Sequence, residues 1–158
     1  MSRIIQTKRS LLNFDPIGLN YVRFCVANET ILVTYVKDEY VYISISFDRG
    51  VNFLYPEKVL KLKGELADIQ VSAKDSQFVL AIKEMVSGIG HKRAVTGWMF
   101  PEGGNFRFKE CTETESAGEI INISLGFREV EVGKEESVDY VFCLNEQKKV
   151  TMVETGHG

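Results

Sequence analysis

The chain has 158 residues, 44% of them hydrophobic and 26% charged, so it can bury one core and is not expected to be disordered. Its 19 basic and 22 acidic residues give a net charge of −3, which argues against a nucleic-acid footprint or an anionic membrane partner. No apolar run is long enough for a membrane helix, and Lys8 and Arg9 interrupt the N-terminal apolar stretch too early for a signal peptide. We therefore expect a soluble, cytoplasmic protein.

In chain order, residues 1–15 are predicted to form an N-terminal arm, in which residues 2–12 fit a helix and an edge strand equally well. Residues 16–158 are predicted to form a single all-β domain. Short runs rich in Val, Ile, Tyr and Phe alternate with polar residues there, and Gly, Asn, Asp and Lys separate the runs.

The strand-like runs repeat as three units of four antiparallel strands, at about residues 20–62, 66–114 and 118–154. The first strands read "VRFCVA", "IQVSA" and "INISL", and the second strands read "ILVTYVK", "FVLAIKE" and "REVEVGK". A turn at Gly126 is predicted to separate the first and second strands of the third unit. The second unit carries an insertion, "MVSGIGHK", before its third strand.

The turn between the third and fourth strands of the first unit has the pattern S-x-D-x-G-x-x-F, at Ser46, Asp48, Gly50 and Phe53. Asp48 can accept hydrogen bonds from the turn amides, and Gly50 can adopt a positive φ. Ser46 can bond within the same loop, and Phe53 can bury its ring beneath it. The pattern predicts a rigid hairpin. A single carboxylate is too little for a calcium site.

This pattern resembles the Asp-box of sialidases and related BNR-repeat β-propellers, and it sits at the turn where that family carries it. The resemblance implies that each unit is a four-stranded propeller blade and that Ser46, Asp48, Gly50 and Phe53 are structural. The second copy, "MFPEGGNF", keeps only the glycine and phenylalanine, and the third, "CLNEQKKV", lacks the glycine.

The catalytic set of sialidases is not recognisable, because the chain has no R-I-P motif and no arginine triad that can be transferred residue by residue. We therefore expect a protein without enzymatic activity, with no catalytic residue, no metal and no cofactor. The odd number of cysteines, Cys25, Cys111 and Cys143, argues against a disulfide framework, and the two histidines are too few for a histidine-rich metal site.

A ligand face is predicted where the loops between second and third strands meet, since propeller clefts open on that side. Lys134, Glu135 and Glu136 are expected at the same face. For the 91–93 segment, a solvated hairpin tip of charges is the leading interpretation, and a ligand-contacting loop is the other. The face is predicted to contain Arg23, Lys37, Asp38, Glu39, His91, Lys92 and Arg93.

Three blades cannot close a ring, whereas two copies give a six-bladed propeller, so a homodimer is predicted. The leading functional hypothesis is a non-catalytic binding or scaffold module for a glycan or a protein. The alternatives are a divergent, sialidase-like glycoside hydrolase with its cleft at the dimer axis, and a plain β-sandwich or open sheet in which the repeat is accidental.

Overall fold

The computed structural model describes Ile4, Gln6 and residues 20–111, 114–115 and 119–157, without the side chains of residues 114 and 115. The predicted arm at residues 1–15 therefore lies outside the described residues, except for Ile4 and Gln6. The described chain contains three antiparallel sheets and no helix, which confirms the prediction of an all-β protein. No helix among these residues is long and apolar enough to span a membrane.

The first sheet is a meander of four strands, β1 (Asn20–Ala27), β2 (Thr30–Lys37), β3 (Tyr40–Ser46) and β4 (Glu57–Lys61). A two-residue hairpin joins β2 to β3 through Asp38 and Glu39, whose φ angles are 50° and 68°. Two consecutive residues with positive φ form a turn whose backbone twist matches the right-handed twist of the flanking strands.

The second sheet has the same order, β5 (Glu65–Lys74), β6 (Gln77–Val86), β7 (Ile89–Phe100) and β8 (Asn105–Glu110), and a short β9 (Thr114–Glu115) pairs with β7. The predicted insertion between its second and third strands is strand, not loop. Strands β6 and β7 continue until Ser87 and Gly88, which form the hairpin turn with φ angles of 51° and 78°. The prediction that residues 91–93 form a hairpin tip is wrong for this reason.

The third sheet has three strands in the described chain, β10 (Glu119–Glu131), β11 (Lys134–Leu144) and β12 (Val150–His157). The predicted four-stranded third unit is therefore wrong. Gly126 does not turn the chain, because it pairs with Val138 inside the β10–β11 ladder. The turn occurs later, at Gly133, whose φ is 76°.

Because the chain does not reverse direction at Gly126, the β10–β11 turn lies at the end of the molecule opposite to the one predicted. Lys74 Nζ lies 2.7 Å from Glu135 Oε1, and Gln77 Nε2 donates to the Glu135 carbonyl at 3.3 Å. Residues 134–136 therefore lie beside the β5–β6 turn. The expectation that they share a face with the β2–β3 turn is wrong.

The second sheet lies between the other two and is buried on both faces. Leu80 and Ile82 of β6 pack into a core shared with the first sheet, whereas Ala81, between them, packs into a core shared with the third. The alternation follows from the period of two in a strand. The first strands are neighbours as well, with β1 beside β5 and β5 beside β10.

Candidate functional site

The predicted hairpin after β3 is held by the side chain of Ser46, which is buried. Its hydroxyl accepts hydrogen bonds from the backbone amides of Gly50 at 2.8 Å and Asp48 at 3.3 Å, and donates to Asp48 Oδ1 at 2.7 Å. Arg49 and Gly50 have φ angles of 59° and 87°. Gly50 adopts its positive φ without a steric penalty, because glycine has no Cβ atom.

Asp48 is exposed and uses both carboxylate oxygens inside the same loop. Oδ1 accepts the backbone amide of Asn52 at 2.8 Å, and Oδ2 accepts the Asn52 side-chain amide at 2.8 Å. The hydrogen bonds from Asn52, followed by that from Ser46, lower the pKa of Asp48 to about 2. Phe53, half-buried, comes just before Leu54, whose amide donates to the Ile45 carbonyl.

The corresponding turns of the other two sheets use different chemistry. Between β7 and β8, the Gly104 amide donates to the Pro101 carbonyl at 3.2 Å. Between β11 and β12, Asn145 Oδ1 accepts the amides of Gln147 and Lys149, each at 2.9 Å. Asn145 thus accepts hydrogen bonds from the backbone amides two and four residues ahead of it, as Ser46 does. Its turn, however, lies at the other end of its sheet.

The predicted ligand-face residues fall into two groups. Lys37, Asp38 and Glu39 lie at the β2–β3 turn, where Asp38 and Glu39 are exposed, and Arg23 is exposed on β1. His91, Lys92 and Arg93 lie in β7. Lys92 and Arg93 are buried, with 1% and 2% of their surface accessible. They do not form a charged rim.

A short linker between β4 and β5 joins these two groups. The Leu62 amide donates to the Glu39 carbonyl at 2.8 Å, and the Lys61 carbonyl accepts both terminal nitrogens of Arg93, at 3.1 and 2.6 Å. Gly64 passes so close to β6 that a Cβ there would lie 2.2 Å from the Met85 carbonyl oxygen. The linker therefore fixes the β2–β3 turn against the end of the second sheet.

Arg93 forms a buried ion pair with Glu84 of β6, with Nε 2.9 Å from Oε1. The other carboxylate oxygen, Oε2, accepts the backbone amides of Lys63 at 2.6 Å and Gly64 at 3.2 Å. Both charges are thus neutralised and bonded to the linker, as buried charges must be. Glu84 and Arg93 therefore hold the backbone of residues 61–64 in place against the second sheet.

Lys92 points to the opposite face of β7 and meets Asp139 of β11. Its Nζ lies 2.9 Å from Asp139 Oδ2, and His157 Nε2 of β12 lies 2.5 Å from the same oxygen. All three side chains are buried. Asp139 Oδ1 has no hydrogen-bond partner within the described part of the chain. A cation, a carboxylate and an imidazole therefore meet between the second and third sheets.

The protonation of this cluster is set by its own contacts. Burial opposes ionisation of Asp139, but the hydrogen bonds from His157 and Lys92 outweigh it and lower the pKa of this carboxyl. The hydrogen bond to Asp139, followed by one to the Cys111 thiol, raises the pKa of His157 to about 9. At neutral pH the imidazole is therefore protonated.

The sequence contained one usable signal for this cluster. In "SVDYVFC" the residues Ser137, Asp139, Val141 and Cys143 alternate, and all four are buried toward the second sheet. A carboxylate in such a series must have a buried partner. Sequence reasoning missed Glu84 because it is the last residue of the predicted strand "FVLAIKE", directly before the predicted insertion.

A groove of about 480 Å³ lies between the β6–β7 hairpin and the start of β10. Met85, Ile89 and Ile120 give it apolar walls, and Lys83 and Glu119 give it one group of each charge. The Lys83 ammonium donates to the Ile120 carbonyl at 2.8 Å. No cluster of His, Cys, Asp and Glu suited to a metal ion occurs in residues 20–111 or the other described segments.

We expect Ser46→Ala to lower the free energy of unfolding by about 1–3 kcal/mol, because the buried Gly50 amide loses its acceptor. Urea denaturation followed by circular dichroism measures the change. Ser76→Ala, at an exposed serine of the β5–β6 turn, is the matched control and should change the stability little. Equal effects of the two substitutions would contradict this role of Ser46.

We expect the stability to fall as the pH rises from about 6.5 toward 9. The pKa of His157 is 6.5 in the unfolded chain and about 9 in the folded one. Its contribution is therefore complete below pH 6.5 and is lost as the pH passes the folded value, at most about 3 kcal/mol.

Urea unfolding at closely spaced pH values checks this dependence as the difference between the wild type and His157→Gln. The difference should shrink with rising pH. His91→Gln, which removes the other histidine, is the matched control and should retain the wild-type slope. A pH-independent difference between the wild type and His157→Gln would refute the assignment.

No protein-family model, no curated protein and no solved structure matches this chain. The function proposed below therefore depends on the turn motif, on the packing of the three sheets and on the charged groups between them.

Proposed function

We propose that the chain is a non-catalytic binding or scaffold module, built as one half of a six-bladed, sialidase-like β-propeller that a second copy completes. The observation that carries this proposal is the arrangement of the sheets. They follow one another in chain order, and each outer face exposes some apolar side chains, on β1 of the first sheet and on β12 of the third. The resemblance of the Ser46–Phe53 turn to an Asp-box is a second, independent support.

Neighbouring first strands support the propeller arrangement. Strand β1 lies beside β5, and β5 lies beside β10, as inner strands do around a common axis. The fourth strands of the first two sheets, β4 and β8, also approach each other. The first two sheets therefore approach each other at their first and at their fourth strands, which supports an arrangement like that of neighbouring propeller blades.

The outer face of the first sheet carries Phe24 and Val26 on β1, with 46% and 64% of their surface exposed. Cys25, between them, packs toward the second sheet, so these two side chains point away from it. Exposed apolar groups on one sheet face are the expected mark of an interface.

The outer face of the third sheet is mixed, with Phe142 and Met152 on the same side as the ion-paired Arg128, Glu136 and Glu154. Val141 of β11 packs toward the second sheet, so its neighbour Phe142 points outward. Phe142 pairs with Met152 of β12, which is 53% exposed. In a two-fold dimer, each copy would cover the first sheet of its partner with its own third sheet. The exposed apolar side chains of both faces are then buried, and the ring closes at six sheets.

The binding face of this module is assigned to the end with the β2–β3 turn and the groove beside the β6–β7 hairpin. The groove volume of about 480 Å³ lies within the range of small-ligand sites. Its apolar walls with single charges, Lys83 and Glu119, suit a ligand with both apolar and polar parts, such as a glycan or a protein segment. Lys92 and Arg93 are engaged internally and do not belong to this face.

The absence of catalysis is proposed from the state of the buried acids. Glu84 and Asp139 are the buried carboxylates of the described chain, and each is bonded to a cation. A glycosidase needs one acid that is protonated or free to exchange a proton. Carboxylates held as ion pairs suit a structural role better.

The dimer predicts a solution mass of about 36 kDa, twice the 17.9 kDa of one chain. Light scattering after size exclusion measures it. Phe24→Glu places a charge on the outer face of the first sheet and should shift the mass toward the monomer. Val132→Glu, at a fully exposed valine of the β10–β11 turn, is the matched control and should leave the dimer intact. A folded wild-type monomer at high concentration would refute the proposal.

The functional assignment predicts binding without turnover. We expect no hydrolysis of a fluorogenic sialoside above the buffer blank, and retention on a glycan array or by a protein ligand in a pull-down. Lys83→Ala and Glu119→Ala should weaken that retention, whereas Lys74→Ala, at the opposite end, should not. Hydrolysis that disappears on replacement of one carboxylate would instead favour the glycoside hydrolase.

A further inference from the structure

Strand β12 is the outermost strand of the third sheet, and its free edge is longer than the outer edges of the other two sheets. It has 8 residues, whereas β4 has 5 and β8 has 6. It pairs residue by residue with β11, from Leu144–Val150 to Ser137–His157, with no bulge. Within the described chain no strand pairs with its other side. A regular row of backbone N–H and C=O groups is therefore available to another strand.

The outer edges of the first two sheets contain features that discourage strand addition, and β12 lacks them. Strand β4 reads "EKVLK", and a register shift between Val41 and Tyr42 interrupts its ladder with β3. Strand β8 reads "NFRFKE". Strand β12 reads "VTMVETGH", in which Glu154 is the one acidic residue and no lysine, arginine or proline occurs. Since charged residues, prolines and bulges protect sheet edges, β12 is the least protected of the three.

The side chains along this edge are apolar at one end and acidic at the other. Val150 and Met152 are exposed, and Glu154 follows them on the same face, because side chains alternate along a strand. Arg128 forms ion pairs with both Glu154 and Glu136. One guanidinium thus serves two carboxylates, so the Glu154 end of the edge has an excess of negative charge.

We propose that the edge of β12 binds an extended segment of a partner protein, which joins the third sheet as its fourth strand. The segment carries a basic residue opposite Glu154 and apolar, β-branched residues opposite Met152 and Val150. Such cross-strand pairs stabilise antiparallel sheets, and the backbone hydrogen bonds supply the rest of the affinity. This surface is separate from the groove beside the β6–β7 hairpin, and it does not depend on the proposed dimer.

A second copy of the chain fits this edge less well than a basic segment does. Strand β12 contains no lysine or arginine, and its histidine, His157, is buried and bonded to Asp139. A second β12 therefore offers Glu154 no cation, and it adds a further carboxylate to an edge that already has an excess of negative charge. The charge of the edge favours a basic partner segment for this reason.

The synthetic peptide TTKTVTV, with a fluorophore at its N-terminus, is designed to pair antiparallel with residues 150–156 and to place its lysine opposite Glu154. Fluorescence anisotropy with the full chain measures its Kd. The peptide TTETVTV should bind about fivefold more weakly, since a like-charge pair replaces an opposite-charge pair. In Glu154→Gln this preference should shrink. Glu102→Gln, at an exposed glutamate of the β7–β8 turn, is the matched control and should retain it.

Two further measurements locate the peptide. Hydrogen exchange should slow in residues 150–157 when TTKTVTV is added, and it should not change in residues 57–61 or 105–110, the other outer strands. Methylation of alternate backbone nitrogens gives two forms of the peptide. The form whose methyl groups face β12 should not bind, whereas the form whose methyl groups face away should bind as before, because it keeps the N–H groups that pair with the edge.

The proposal would be overturned if TTKTVTV did not bind, if both methylated forms bound equally, or if the slowed exchange lay outside β12. Slowed exchange in β12 that rises with protein concentration, without any peptide, would show that a second copy occupies the edge, and would overturn the choice of occupant. Circular dichroism checks that Glu154→Gln is folded. If it is not, the comparison of the two peptides on the wild type still decides.

Discussion

The two cations at successive positions of β7, Lys92 and Arg93, require the rest of the structure to supply carboxylates on both faces of the middle sheet. Neighbouring side chains in a strand point to opposite faces, and the second sheet is covered on both. Arg93 therefore faces the first sheet and meets Glu84, while Lys92 faces the third and meets Asp139. Removing one partner from a buried pair costs about 3–5 kcal/mol, because a charge stays unpaired.

These pairs also determine the relative positions of the sheets. Glu84 and Arg93 bond to the backbone of residues 61–64, where the chain passes from the first sheet to the second. Lys92 reaches across to β11, and Asp139 reaches β12 through His157. Apolar contacts alone would tolerate some sliding between sheets. Charged groups with fixed hydrogen-bond directions do not, so they specify how each sheet lies on the next.

The same arrangement separates the parts of the molecule by role. The end at which the linker holds the β2–β3 turn also bears the groove lined by Lys83 and Glu119, and it is the natural place for a ligand. The Ser46 hairpin lies at the opposite end, where Ser46 and Asp48 bond within the hairpin and Arg49 pairs with Glu29 of the β1–β2 turn. The cluster of Lys92, Asp139 and His157 lies between the second and third sheets, where burial and charge pairing change the pKa values of Asp139 and His157. A single fold thus combines an open face with a protected, chemically distinctive interior.

Local patterns were sufficient for most strands of the first two sheets and for the turn at Ser46. Apolar and polar residues that alternate with a period of two indicate a strand, and Ser, Asp and Gly indicate a turn. Both signals depend only on residues close together in the chain. They failed at Gly126, where a glycine was interpreted as a turn although Leu125 and Phe127 continue the alternation on both sides. They failed again at residues 85–92, where β6 and β7 extend because Ser87 and Gly88 provide a two-residue hairpin.

The sequence by itself therefore determined the strand class, the three-sheet plan and the chemistry of the Ser46 turn, because each depends on residues close together in the chain. Only the tertiary structure decided the number of strands in the third sheet, the end at which residues 134–136 lie, and the burial of Lys92 and Arg93. The contact of Lys92, Asp139 and His157 is a further feature that only the tertiary structure decided. Those features depend on strands far apart in sequence packing face to face, and a buried charge reveals its partner only when the two strands are brought together.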